Sequence, residues 1–214
     1  MKLETLRPIS VDTEFIPSDD GNQVVVCVVA KDLRTGEVFR RFADKLGAVP
    51  FYPHGPDTCL VAYFAAAEID SYRALGWQLP ENIIDLYAEH MRATNGLSMS
   101  DTNGVAPPAR GGLLAALRCH GLNARANESK RATISRILAG PPYDSAVRSE
   151  ILDYCQEDVE DAEALFRALL PKMEPGWLKA ALIRGRYSVS LADFSRNGHP
   201  VNADLHDQII TSWD

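Results

Sequence analysis

The sequence predicts one α/β domain in which helices pack on the faces of a mixed sheet. Its first half carries short β-branched and apolar runs separated by turn signals, and its second half is dominated by helical patterns. This order suits a helix-covered mixed sheet: several strands come first, then a strand–helix–strand unit, and then further helices. The 214 residues are enough for one sizeable domain of this kind.

The first three predicted strands form an antiparallel meander. The first, RPISVDTEF at residues 7–15, alternates apolar and polar residues. The second, QVVVCVVA, is a nearly continuous β-branched run, which is typical of a strand buried on both faces. The third is EVFRRFA, and the turn signals PSDDGN and RTGE separate the three strands.

Helical patterns begin after a fourth strand, TCLVAYF at residues 58–64. It leads directly into the helix AAAEIDSYRALGW, which we expect to end near Gly76. NIIDLY predicts a short fifth strand, and Asp85 is placed to cap the helix after it. The remaining predicted elements are a polar loop at 96–110, the helices GLLAALRCHG and NESKRATISRILAG, a long helix near 143–173, and a tail over 176–214 with a helical start, a turn at RNGHP and a last helix.

Composition and charge argue against several classes of protein, although not against one that grips a few nucleotides through metal ions. The net charge of −7 argues against a long duplex-binding surface, which needs a basic stripe. No apolar run approaches the roughly 18 residues of a membrane span, and the start MKLETLRPIS lacks the apolar core of a secretion signal. The four cysteines form no CxxC pair, so we expect reduced thiols in a cytoplasmic protein, without a zinc site or disulfide framework.

The first strand carries an acidic pair on one face. Asp12 and Glu14 are two residues apart, so their carboxylates lie roughly 7 Å apart along one strand face and repel each other. Such a pair is tolerated when that face meets water, or when a cation lies beside both carboxylates. The second interpretation gains weight if further carboxylates converge on the pair.

Two later helices supply candidate partners for this pair. Asp158 lies within the apolar stripe of the long helix, where a charge is costly unless it is compensated, and Tyr154 precedes it on the same face. After strand four, we expect Glu68 to face inward and Asp70, two residues further on, to point away from that side and be solvated. Each acid also has a plain structural interpretation: Asp158 at the edge of the stripe, and the other two as first-turn acids favoured by the helix dipole.

These three segments together resemble the exonuclease motifs of the DEDD superfamily in its tyrosine form. VDTEF would be the first motif, YFAAAEIDSYRALGW the second and YCQED the third. The resemblance implies a ribonuclease-H-like fold, with a mixed sheet and flanking helices. Within the superfamily the chain is most similar to the 3′–5′ proofreading domain of phage-like family A DNA polymerases, in which the second-motif acid precedes a helix-ending glycine as Glu68 precedes Gly76.

The tail also resembles that polymerase family, in the segment that leads from exonuclease to polymerase. Residues 1–175 would then be the exonuclease domain and residues 176–214 a C-terminal extension. No palm or finger motif is present, so the chain would be an excised domain or a stand-alone relative. A polymerase domain or another replication protein is the partner that this resemblance implies, with no membrane involved.

The resemblance implies two-metal hydrolysis of phosphodiester bonds at the 3′ ends of single-stranded DNA, with Mg²⁺ or Mn²⁺ as cofactor. Asp12 would bridge the two ions, and Glu14 and Asp158 would hold the ion that activates water. Glu68 would act on the second ion, with Asp70 as the alternative. These acids are hard oxygen ligands of the kind that both cations prefer.

Further residues would act on the attacking water and on the substrate. Tyr154 would orient the water as part of the catalytic set. Phe15, Tyr63 and Phe64 would contact the terminal nucleotides, because aromatic faces stack on any base, although core packing is an alternative for Phe15 and Tyr63. Lys130, Arg131 and Arg136 are candidates for phosphate contacts, or else a solvated helix face.

Two residues depart from the family's second motif. Phe64 occupies the position of an asparagine that helps to position the primer end, and Glu68 replaces an aspartate, so its carboxylate reaches one methylene further. These departures keep a second hypothesis open, in which the chain is a catalytically degenerate scaffold of the same fold. An RNA exonuclease of the RNase D kind is a further alternative, and an α/β binding protein with scattered surface acids is the last.

Overall fold

The computed structural model describes residues 5–18, 22–106, 111–125, 127–173, 176–198 and 200–213, and of residues 127–130 the backbone alone. Strands in these residues form one five-stranded sheet in the order β3–β2–β1–β4–β5. Their bounds are Arg7–Pro17 (β1), Gln23–Asp32 (β2), Val38–Phe42 (β3), Thr58–Ala62 (β4) and Ile83–Asp85 (β5). Strands β1, β2 and β3 pair antiparallel, whereas β4 runs parallel to both β1 and β5.

The helices follow the order that the sequence predicts. Their bounds are Ala66–Ala74 (α1), Leu86–Thr94 (α2), Leu113–Cys119 (α3), Asn127–Leu138 (α4), Ser145–Leu169 (α5), Trp177–Asn197 (α6) and Ala203–Thr211 (α7). Short 3₁₀ turns lie at Ala43–Lys45, Ser100–Thr102 and Leu170–Lys172. The predicted α/β domain with a mixed sheet and flanking helices is therefore confirmed.

Local signals place most of the element ends. Asp85 caps α2 as predicted, because its carboxylate accepts hydrogen bonds from two backbone N–H groups in the first turn. Asp144 caps α5 in the same way, so the long helix begins at residue 145 rather than 143. Strand β4 ends at Ala62, two residues before the predicted end, and Phe64 has a left-handed backbone that no strand can include.

The sheet is buried between helices on its two faces. On one face, Ile9 and Val11 of the central strand β1 pack in a cluster with Ile69 and Tyr72 of α1. On the other face, the buried side of α5 covers β1 and β2, for example through Val159. Because β1 is buried on both faces, every polar side chain on it needs a partner from a neighbouring element.

Helix α6 covers the edge of the sheet at β5. Its Gly185 lies against the Ile83 carbonyl, where an added Cβ would be only 1.9 Å from the oxygen. The Arg184 guanidinium donates two hydrogen bonds, of 2.6 and 2.8 Å, to the fully buried Glu89 carboxylate of α2. The predicted boundary between two domains at residue 175 stays a prediction. Helix α6 lies after this boundary, yet it packs against the core of the residues before it.

Parts of three predicted turns or loops lie outside the described residues, one of them residue 199 of the turn RNGHP. The other two are residues 19–21 of the turn PSDDGN and residues 107–110 of the polar loop 96–110. None of the helices within the described ranges is both long and apolar enough to cross a membrane.

Candidate functional site

Strand β1 presents its acidic pair to helix α5. The Ser10 hydroxyl donates to the Val159 carbonyl over 3.2 Å, and the Cys155 sulfur lies 3.2 Å from an Asp12 carboxylate oxygen. Alternate residues of β1 therefore face this helix. Ligand atoms of Asp12, Glu14 and Cys155 all lie within 4.8 Å of one another, and both acids are half-buried.

Helix α5 contributes Tyr154 and Asp158, and both side chains are buried. The Tyr154 hydroxyl is hydrogen-bonded to the Asp158 carboxylate, one helical turn further along. Burial, and then the charges of Asp158, Glu14 and Asp12, raise the pKa of Tyr154. The structure thus brings the first and third sequence motifs into one electrostatic cluster.

Glu68 enters this cluster from the first turn of α1. Its side chain is buried, and its Oε2 atom has no hydrogen-bond partner among the described residues. Burial first, and then the charge of Asp12, raise the pKa of the Glu68 carboxyl well above its usual range, with smaller effects from Asp85 and Asp158. An orphaned buried carboxylate oxygen beside other acids is a position where a cation would be stabilising.

Asp70 points elsewhere. It pairs with Arg73 of its own helix at 3.4 Å, and Arg73 also reaches Asp193 of α6 at 2.6 Å. Its electrostatic neighbours are these residues and Arg196, so Asp70 belongs to the contact between α1 and α6. This placement favours Glu68 over Asp70 as the second-motif ligand, although the assignment of ligands stays a prediction.

The residues of the cluster fit a hard divalent cation. Carboxylates from β1, α1 and α5 supply oxygen ligands, which Mg²⁺ and Mn²⁺ prefer, and one of these oxygens, Oε2 of Glu68, accepts no hydrogen bond from any described residue. The nearby Cys155 thiol is fully buried, and burial raises its pKa, so it remains a protonated donor to Asp12. Asp12, Glu14, Glu68 and Asp158 are therefore the residues that could hold metal ions.

Phe64 lies at the turn between β4 and α1 in a strained conformation. Its φ is 65°, a region that residues other than glycine rarely adopt. The residue is 43% exposed, and its ring packs edge-on against Tyr87, with the ring centroids 5.6 Å apart. Since Phe64 is four residues before Glu68, an accessible aromatic face lies close in the chain to the acidic cluster.

The other two aromatic residues predicted to bind substrate are less accessible. The Tyr63 hydroxyl donates to the Gly111 carbonyl over 2.8 Å, and its ring packs edge-on against Tyr87. Phe15 is half-buried at the β-bulge that follows Glu14. The Tyr63 contacts favour the core-packing interpretation for that residue.

Of the basic residues predicted to contact phosphate, Arg136 is paired with Glu150 of α5. Arg131 is exposed, and the Lys130 side chain lies outside the described residues. Phosphate binding by these three residues stays a prediction.

A groove of about 450 Å³ opens beside Tyr154 between α4 and α5. Its lining residues are Thr133, Ala146, Ser149, Glu150, Asp153, Tyr154 and Glu157. Tyr154 is the member of the acidic cluster that lines this groove. Its acidic lining means that a polyanion could approach only with cations present.

Sequence reasoning missed Arg125, which lies between α3 and α4. Its guanidinium pairs with Glu157, Asp158 and Asp161 of α5. Arg125 lies outside the three motifs and outside any periodic apolar pattern, so no local signal distinguishes it from a surface arginine. Cys155 was missed for another reason: it fits the apolar stripe of α5, and only the packing against β1 shows its contact with Asp12.

No protein-family model and no curated protein matches the chain. Among solved structures it is similar to Trypanosoma brucei RNase D in complex with RNA U12, with a TM-score of 0.61 and 17% identity over 93% of this chain and 66% of that one. It is also similar to Escherichia coli RNase D, an exoribonuclease involved in structured RNA processing, with a TM-score of 0.56 and 15% identity over 99% of this chain and 50% of that one.

At these identities the similarity shows the fold, and the ribonuclease-H-like fold expected from the three motifs is confirmed. The chain spans 66% and 50% of the lengths of these two proteins. The finer resemblance to the proofreading domain of family A polymerases stays a prediction.

Proposed function

We propose that this chain is a metal-dependent 3′–5′ exonuclease, which hydrolyses phosphodiester bonds at the ends of single-stranded nucleic acid. The observation that supports this function is the convergence of four acids and a tyrosine from three elements that are far apart in sequence. They are Asp12 and Glu14 from β1, Glu68 from α1, and Tyr154 and Asp158 from α5. Neighbouring carboxylates, two of them half-buried and two buried, are costly without cations.

The carboxylates of Asp12, Glu14, Glu68 and Asp158 would hold Mg²⁺ or Mn²⁺. Ions bound there would lower the pKa of the attacking water and stabilise the charge on the phosphate and the leaving 3′ oxygen. Tyr154 remains protonated at neutral pH because its pKa is raised. Its O–H therefore donates to Asp158, which leaves the phenol oxygen as an acceptor that can orient a water molecule.

RNA is the substrate class that we place first. Two of the similar solved structures are RNase D proteins, one of them in complex with RNA. Single-stranded DNA is the second candidate, and the observation that favours it is the likeness of the motifs and tail to polymerase proofreading domains. A polymerase partner and a cytoplasmic location follow from the sequence interpretation and stay predictions.

A catalytically degenerate scaffold is the competing function from another class. Phe64 in place of the family's asparagine is the residue that favours it. An intact site is favoured by the presence of Tyr154 and of an acid at every motif position, and by a Glu68 oxygen that no described residue hydrogen-bonds.

The test is cleavage of 5′-labelled single-stranded RNA and DNA with Mg²⁺ or Mn²⁺, beside Asp158→Asn and an EDTA control. We expect a ladder that shortens from the 3′ end, and a loss of at least about 100-fold in the variant. Asp153→Asn is the matched control, because Asp153 is on the same helix, is exposed and pairs with Arg40 instead.

The pattern of products separates the hypotheses. A ladder with RNA alone or with DNA alone identifies the substrate class. Full activity in Asp158→Asn would overturn the assigned site, and no cleavage of either polymer by the folded wild-type protein would favour the scaffold.

A further inference from the structure

Arg125 bridges three acids of α5 from the connection between α3 and α4. Its guanidinium pairs with Glu157, with Asp158 and, over 3.1 Å, with Asp161. Its Cζ atom lies 5.5 Å from the centroid of the Tyr154 ring. One arginine therefore contacts both α5 residues of the proposed active site.

The three ion pairs differ in how much each carboxylate depends on Arg125. The Glu157 side chain is 52% exposed, so water solvates its charge, whereas the Asp158 side chain is 7% exposed. A buried carboxylate is strongly destabilised without a cationic partner. Arg125 therefore supplies to Asp158 the positive charge that a metal ion would otherwise supply.

We propose that Arg125 and a divalent cation are alternative partners of Asp158, so that metal binding displaces the guanidinium. A cation bound to Asp158 would lie within a few ångströms of the arginine charge, and like charges repel strongly at that separation in a partly buried site. Because Glu157 and Asp161 also pair with Arg125, the guanidinium has partners to retain when it leaves Asp158. This inference rests on the proposed function, since it takes Asp158 as a metal ligand.

The exchange makes Arg125 a positioning residue rather than a catalytic one. Without metal it holds Asp158 in place and shields its charge from Glu14 and Asp12. A partner that must be displaced lowers the apparent metal affinity, because only the fraction of molecules with Asp158 released can bind the ion. Removal of the arginine should then strengthen metal binding. Movement of the guanidinium on metal binding distinguishes displacement from repulsion by an arginine that stays on Asp158.

The direct test is calorimetric titration of Mn²⁺ into wild-type protein and Arg125→Gln, without nucleic acid. We expect Arg125→Gln to bind Mn²⁺ at least about 10-fold more tightly. Arg136→Gln is the matched control, since it removes the same charge from an ion pair with Glu150, which lies on α5 as Asp158 does. We expect its Mn²⁺ affinity to stay within about 2-fold of the wild-type value, because exposed pairs are screened.

A second measurement needs no variant and therefore does not depend on how Arg125→Gln folds. It follows the ¹⁵N-labelled arginine side chains of the wild-type protein by NMR as Mg²⁺ is added. We expect the Nη group bonded to Asp158 to change its chemical shift and rotate faster, while the Nε–H bonded to Asp161 persists.

The outcomes separate this inference from the proposed function. Mn²⁺ binding by the wild-type protein with equal or weaker binding by Arg125→Gln, or unchanged Nη signals at saturating Mg²⁺, would overturn the exchange and leave the exonuclease standing. A protein that binds no metal with or without Arg125, and cleaves neither polymer, would overturn both.

Discussion

The backbone N–H of Phe64 donates a hydrogen bond of 3.2 Å to the carboxylate of Asp85. The same carboxylate caps α2 and accepts a hydrogen bond of 2.8 Å from Ser188 of α6. One buried acid thus holds the turn before α1 against two other helices. The turn that results keeps Phe64 in the left-handed region, at φ 65°.

This strain predicts an unusual order of stability for two variants. Phe64→Ala and Phe64→Gly lose the same ring contact with Tyr87, but alanine keeps the penalty of a left-handed backbone and glycine does not. We expect Phe64→Gly to be more stable than Phe64→Ala by about 1 kcal/mol. Urea unfolding of the two variants measures the difference, and an alanine variant of equal or greater stability would show that the turn relaxes without strain.

Glu68 and Asp70 should behave oppositely when each is neutralised. We expect Glu68→Gln to lower exonuclease activity by at least about 100-fold, because a ligand of a catalytic ion is lost. Asp70→Asn, two residues along the same helix, should stay close to wild type, since it loses only an ion pair of 3.4 Å with Arg73. Cleavage rates of the two variants at saturating Mn²⁺ measure this difference. A larger loss in Asp70→Asn than in Glu68→Gln would identify Asp70 as the metal ligand.

The same Glu68 variant should also change the pH dependence of stability. The raised pKa of Glu68 means that its ionisation opposes folding, so metal-free protein loses stability as pH rises from the unfolded pKa of the carboxyl through the folded one. Glu68→Gln should flatten that decline in EDTA. Thermal unfolding across the pH range measures it, and an unchanged slope would mean that Glu68 does not carry the effect.

His120 should make the protein less stable in weak acid. Its Nε2 atom lies 3.2 Å from Nδ1 of His90, and its Nδ1 atom lies 2.9 Å from Nζ of Lys172. Burial, and then the charges of Lys172 and His90, lower the pKa of His120 to about 4. The unfolded chain binds a proton at about pH 6.5, so this contribution is present above that pH and is lost as pH falls through 4.

Denaturant unfolding between pH 7 and 4 tests this dependence. We expect His120→Asn to weaken it, and His206→Asn to leave it unchanged because His206 is exposed on α7. If the stability of His120→Asn depends on pH as steeply as that of the wild type, other groups cause the acid sensitivity.

Gly185 should tolerate no side chain. An exposed helical Gly→Ala change gains up to about 1 kcal/mol in helix propensity, but here the new Cβ would collide with the Ile83 carbonyl at 1.9 Å. We expect Gly185→Ala to lower the melting temperature of the whole chain in one cooperative transition, because α6 is packed on β5. A separate low-temperature transition would instead indicate that the segment after residue 175 unfolds independently.

The strands and most helix ends could be predicted from local patterns. The β-branched run of β2, the cap at Asp85 and the apolar stripe of α5 each depend on residues within one or two turns of each other. Such features are local because backbone hydrogen bonding and side-chain periodicity repeat over short distances. The three acidic motifs could also be identified from the sequence, since residue types and their order along the chain are all that such motifs require.

The positions of Arg125, Cys155 and Phe64 were decided by the tertiary structure. Arg125 meets Asp158 across 33 residues of chain, and Cys155 meets Asp12 across 143. The Phe64 backbone is in the left-handed region, and its N–H donates to the Asp85 carboxylate. That carboxylate also accepts a hydrogen bond from Ser188 of α6. Sequence spacing contains no information on such partners, because charge compensation and burial depend on which elements pack together and not on which residues are adjacent in the chain.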